Sequence, residues 1–127
     1  MKKTLKALAI LLCAVTMVMM SACSKEDTYQ RRIVGKWEVV HHAYGDFDPL
    51  NISPSQFDND GVGDIWEFRD DGIVLWNDDP ASYVITEDYL VVAGLVSFNI
   101  QEFTKNTLII WIDYGYRKEY YELQKVG

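Results

Sequence analysis

The side chains best suited to chemistry in this 127-residue chain are its acids, and one stretch sets four of them close together. Aligned to a helix-loop-helix calcium loop, QFDNDGVGDIWE (residues 56–67) places Asp58, Asp60, Gly61, Asp64 and Glu67 at positions three, five, six, nine and twelve. Gln56 stands where that loop requires its first aspartate, and no amphipathic helix flanks the segment. The stretch reads as a solvated acidic turn, with weak Ca²⁺ ligation by Asp58, Asp60 and Asp64 as the alternative.

His41 and His42 are the only histidines. As neighbours on a strand they point to opposite faces, so they cannot close together on one metal ion. The acid pairs Asp70-Asp71, Asp78-Asp79 and Glu87-Asp88 fall at turns, where such residues cap the local backbone rather than move protons. No serine stands in a nucleophile elbow and no glycine-rich loop cradles phosphate. The expectation is a protein without catalysis and without a cofactor.

The amino-terminal residues carry a different chemistry. Lys2, Lys3 and Lys6 precede a 16-residue apolar run, ALAILLCAVTMVMMSA, shorter than the roughly 20 residues a spanning helix needs. Small residues close it, as in a cleaved signal peptide. Met20, Ser21, Ala22 and Cys23 resemble the bacterial lipobox, which implies removal of 1–22 and acylation of Cys23. Two or more acyl chains, at about 0.8 kcal/mol per buried methylene, make such anchoring effectively permanent. SKED, residues 24–27, resembles the signal that sends lipoproteins of one Gram-negative phylum to the outer face of the outer membrane. The alternative for these four residues is a solvated tether.

With Cys13 in the leader and Cys23 under lipid, the mature chain has neither disulfide nor thiol, so a packed core must hold it. Loss of the three leader lysines leaves 9 basic and 19 acidic side chains, a net charge of −10. Such a surface repels nucleic acid and anionic lipid head groups.

The elements that must position these groups are strands. From residue 33 onward, short runs rich in Val, Ile, Trp, Tyr and Phe are bounded by Asp, Gly and Asn, with no sustained 3.6-residue period. Eight strands are predicted, over 33–43, 64–69, 73–77, 82–86, 90–92, 96–103, 107–113 and 116–123. Links of two to five residues allow antiparallel neighbours only. Asp71-Gly72 is read as a two-residue hairpin turn. Closing an eight-strand meander removes its edges, so the predicted fold is all-β, a small antiparallel up-and-down barrel. The organisation is a signal peptide (1–22), a lipidated tether (23–32) and the barrel domain (33–127).

Gly35 and Trp37, in IVGKWEVV, open the first strand: the indole is large enough to plug one end, and the glycine lets another backbone approach. With WEFRDDGIV, SYVITEDYLVV and FTKNTLIIW, they resemble the lipocalin-like domain of small bacterial lipoproteins. That resemblance implies a non-enzymatic calyx that in some members holds a small apolar molecule.

Alternation assigns inward faces to Trp37, Val39 and His41; to Trp66 and Phe68; to Ile73 and Leu75; and to Tyr83 and Ile85. On later strands it selects Leu90 and Val92, Phe98 and Ile100, then Leu108, Ile110 and Ile112. These side chains either fill the barrel or leave a pocket at the end opposite Trp37. In the second case residues 44–63 form a lid, and His41, Tyr44, Phe47, Phe57, Trp66, Phe68 and Tyr83 are the candidate ligand contacts. In the first, the protein works by its exterior, as a protein- or glycan-binding accessory of an envelope complex. The tyrosines of YRKEYYELQ on the last strand suit that role.

Overall fold

The computed structural model describes residues 26–127; the signal segment and Cys23 lie outside the described residues. Eight strands follow in order: β1 (Gly35–Gly45), β2 (Ile65–Phe68), β3 (Ile73–Trp76), β4 (Asp79–Ile85), β5 (Tyr89–Val92), β6 (Val96–Phe103), β7 (Thr107–Asp113) and β8 (Lys118–Lys125). Each pairs antiparallel with the next, and β8 returns to β1, from Trp37↔Lys125 to Gly45↔Lys118. The fold is the closed eight-stranded up-and-down barrel expected. Closure leaves no strand edge unpaired.

One end of the barrel is closed by a helix, α1, over residues 26–33. These residues do not belong to an unstructured tether, as the sequence suggests up to residue 32. Tyr29 and Ile33 are four apart and share a face. Ile33 is fully buried, and the Tyr29 ring lies 4.8 Å from that of Phe103. Trp37 Nε1 donates to the Ile33 carbonyl at 2.9 Å, so the indole that plugs this end is tied to the helix above it. Gly35 is required here. Its φ is +132°, and a Cβ would stand 2.6 Å from the Gly127 carbonyl oxygen and 2.8 Å from Lys125 Cε.

Alternation along the strands places the lumen side correctly except where the register moves. Phe68 pairs with Val74 and Trp66 with Trp76, so Val74 and Trp76 face inward and Ile73 and Leu75 outward, reversing the expected face of β3. The cause is the preceding turn. Arg69 and Ile73 flank a three-residue link, with Gly72 at φ +81° and the Arg69 N–H on the Ile73 carbonyl. The two-residue turn with positive φ at both positions is Asn77-Asp78, joining paired Trp76 and Asp79. On β1, a bulge between Val39 and His41 reverses the parity: His42 turns inward and His41 outward.

The lumen is filled by rings. Trp66 stands 3.7 Å from Trp76 and 4.9 Å from Tyr121 between centroids, and Phe68 meets Tyr83 edge-on at 5.0 Å. At about 150–250 Å² buried per aromatic, such a set consumes a small barrel's interior.

A second cluster lies on the outer wall. Ala43 and Tyr120, with Ile109 and Trp111, are covered by Phe47, Ile52 and Phe57 from the long β1–β2 link. Phe47 and Phe57 therefore do not line an entrance; with Ile52 they wrap this part of the link against the side of the barrel.

Candidate functional site

The end opposite α1, the loop end, is formed by the links 46–64, Asn77-Asp78, 93–95 and 114–117. At its centre is His42, the one charged or polar side chain buried among the described residues. The β1 bulge puts it there. Its Nε2 and Glu119 Oε2 are 2.8 Å apart, and its Nδ1 and Asp58 Oδ1 are 2.5 Å apart. The Asp58 N–H also donates to the His42 carbonyl at 2.9 Å, so backbone and side chain together pin the long link to β1.

Burial pushes the His42 pKa down, but hydrogen bonds to Glu119 and Asp58 outweigh it and hold the imidazole above its ordinary 6.5. Glu119 shows the converse. Burial raises it, yet donation from His42, Tyr114 (2.9 Å) and Tyr121 (3.0 Å) holds it below 4.5. Burial and Glu119 together push Tyr114 up to about 12 and raise Tyr121 further. The ensemble is a buried imidazole between two carboxylates, with the Tyr114 and Tyr121 hydroxyls donating to Glu119.

His42, Asp58, Asp60, Tyr44, Glu119 and Tyr121 thus meet at the loop end. All but Asp58 line, with Gly61, an open depression of about 310 Å³. Asp60 forms part of its wall and makes no side-chain hydrogen bond among the described residues. Around the depression stands an aromatic rim. The Tyr116 ring stacks 6.3 Å from that of Tyr114, and the Arg117 guanidinium lies 5.8 Å from the Tyr44 ring. Tyr44, Tyr114 and Tyr116 are 44%, 40% and 75% exposed, so the rim is presented to solvent.

The other expected ligand contacts are dispersed. Trp66 and Phe68 are core. Tyr83 lies towards the α1 end, its hydroxyl on the Arg69 carbonyl at 2.6 Å. His41 stacks on Phe57 at 4.7 Å and pairs with Glu122 at 3.3 Å on the outer wall. Only Tyr44 of that set reaches the depression. His42 and Glu119 were missed because strand parity, carried past the bulge, sends His42 outward.

Ligand atoms of His42, Asp58 and Asp60 come within 4.8 Å of one another, whereas Asp64, expected to join Asp58 and Asp60, does not join that group. The 2.5 Å between Nδ1 and Asp58 leaves no room for an ion that must sit about 2.0–2.1 Å from each ligand at tetrahedral angles. The contact works as a latch. Both imidazole nitrogens are committed to carboxylates, so the ring has no lone pair or proton to offer a substrate.

The α1 end carries both signs: Asp27, Asp70 and Arg31 line one depression there. Arg31, Arg32, Lys105 and Lys125 surround a depression of about 470 Å³. Lys125 Nζ donates to the carbonyls of Arg32 and Val34 at 2.8 and 2.7 Å, and Arg32 donates to that of Phe103 at 2.8 Å, which fixes both cations against the barrel.

No family model, curated protein or solved structure matches the chain.

Proposed function

We propose that this chain is a non-enzymatic recognition module: a lipocalin-like lipoprotein anchored to the outer membrane by lipid on Cys23 and acting through its outer surface. The observation that carries this reading is the filled lumen, where Trp66, Trp76, Phe98 and Tyr121 pack ring against ring. A solid barrel has only its exterior to offer.

The placement of the two ends supports it. Cys23 precedes α1 by three residues, so a lipid there holds the α1 end within about 11 Å of the bilayer at full chain extension. The exposed tyrosine rim is at the opposite end, facing away.

A second reading, in which the barrel holds a small apolar molecule, is favoured by one feature. Trp66 Nε1 is buried without an acceptor, and a polar atom of a ligand would satisfy it. Native mass spectrometry of the mature protein purified from its own host separates the two. The recognition reading expects the bare lipoprotein mass. A stoichiometric small-molecule adduct lost in Trp66→Phe overturns it in favour of the second.

A further inference from the structure

We infer that the loop end receives a lysine- or arginine-bearing segment of a protein partner, the cationic side chain entering the depression between Tyr44, Tyr121 and Asp60. This rests on the recognition reading and adds the partner's chemistry to it.

Three observations converge. First, acids outnumber cations at the loop end. The 46–64 link alone carries five aspartates and no lysine or arginine, and the neighbouring turns add Asp78, Asp79 and Asp113. Arg117 and Lys118 are the cations at this end, and Lys118 is spent on the Phe47 carbonyl at 3.1 Å. Even with His42 protonated, the group of His42, Asp58, Glu119 and Asp60 remains doubly negative.

Second, the carboxylates are not equivalent. Glu119 already accepts from three donors and Asp58 from His42 and the Asp60 N–H. Asp60 is left to pair with an incoming group, which an ammonium or guanidinium satisfies and an anion cannot approach.

Third, the walls are aromatic. Tyr44 and Tyr121 flank the depression. Cations are attracted to aromatic faces, and Arg117 already exploits this on Tyr44 from outside. Exposed tyrosines ringed by polar groups are typical of the anchors that dominate protein interfaces.

The test uses the mature lipoprotein in phosphatidylcholine nanodiscs, whose neutral head groups do not compete. Binding is read by fluorescence anisotropy with labelled tetralysine, tetraglutamate and, as the neutral glycan probe, chitotetraose. The expected result is saturable binding of tetralysine alone, weakened as salt rises from about 50 to about 500 mM. Asp60→Asn weakens it about two- to fivefold, Tyr44→Ala with Tyr116→Ala at least about tenfold, and Asp70→Asn with Asp71→Asn at the far end leaves it unchanged. The inference is overturned if tetralysine does not bind, if the far-end pair weakens it as much as Asp60→Asn, or if chitotetraose binds in its place. A photo-crosslinker at Tyr116 in the host distinguishes the levels. Specific protein adducts alongside a failed tetralysine experiment sink the cationic partner and spare the recognition reading, whereas no adducts and a loaded lumen sink both.

Discussion

His42 Nε2 and Glu119 Oε2 meet at 2.8 Å across the β1–β8 seam, and this contact, with Asp58 on the other ring nitrogen, clamps the long link onto the barrel. A buried histidine with a carboxylate on each nitrogen is favoured as a cation, and that sets how the clamp responds to acid and base.

His42 is held above 6.5, so its contribution to stability is complete below pH 6.5 and fades as pH rises through its folded-state value. Glu119 is held below 4.5, so its contribution is complete above pH 4.5 and fades as pH falls through its folded-state value. The clamp is therefore strongest between pH 4.5 and 6.5. Urea unfolding across pH 4–9 should show stability declining on the alkaline side of this window. His42→Gln should remove that decline and lower stability by about 2 kcal/mol inside the window. The Asp58 share is small, because that carboxylate is 37% exposed. An alkaline decline as steep in His42→Gln as in the parent contradicts the assignment.

The α1 helix should behave as part of the barrel's core. Ile33 is fully buried, so Ile33→Ala should cost about 2–5 kcal/mol. Hydrogen exchange should then show opening at Trp37 and Phe103 before the loop end. A loss under about 0.5 kcal/mol would mean that the helix is only an appendage.

Gly35 combines a left-handed backbone with close backbone approach. Gly35→Ala should cost about 1–3 kcal/mol for the conformation alone, and more because the Gly127 carbonyl cannot move as a flexible side-chain end could. The midpoint of thermal unfolding reads it directly. Retention of the parent midpoint would show that the strand can shift here.

Ala93 holds φ +57° in the β5–β6 turn, a conformation that strains any residue with a Cβ. Ala93→Gly should stabilise the protein by up to about 1 kcal/mol. A destabilised variant in urea titration would refute this.

The barrel was legible because its strands alternate and its links are short, and Trp37 announced which end would be plugged. The errors have separate physical origins. Ile73, Val74, Leu75 and Trp76 are all apolar, so β3 has no alternation to read, and only the turn before it sets the face. The β1 bulge left no mark in VVHHA, yet it decides which histidine is buried. Helix α1 offered only Tyr29 and Ile33 as a pattern, too little to stand out from a charged leash.

The placement of Phe47 and Phe57 was recoverable. β7, TLIIWID, is apolar on both faces, which a strand with one wall in water does not need. Ile109 and Trp111 required an outer cover, and the long link with its phenylalanines was the segment available to supply it.

The seam between β1 and β8 has a mechanical consequence. Were helix α1 pulled one way and Tyr116 the other, β1 would be drawn from the α1 end and β8 from the loop end. The tension would run along the ladder rather than peel it from one tip, so its bonds would share the load.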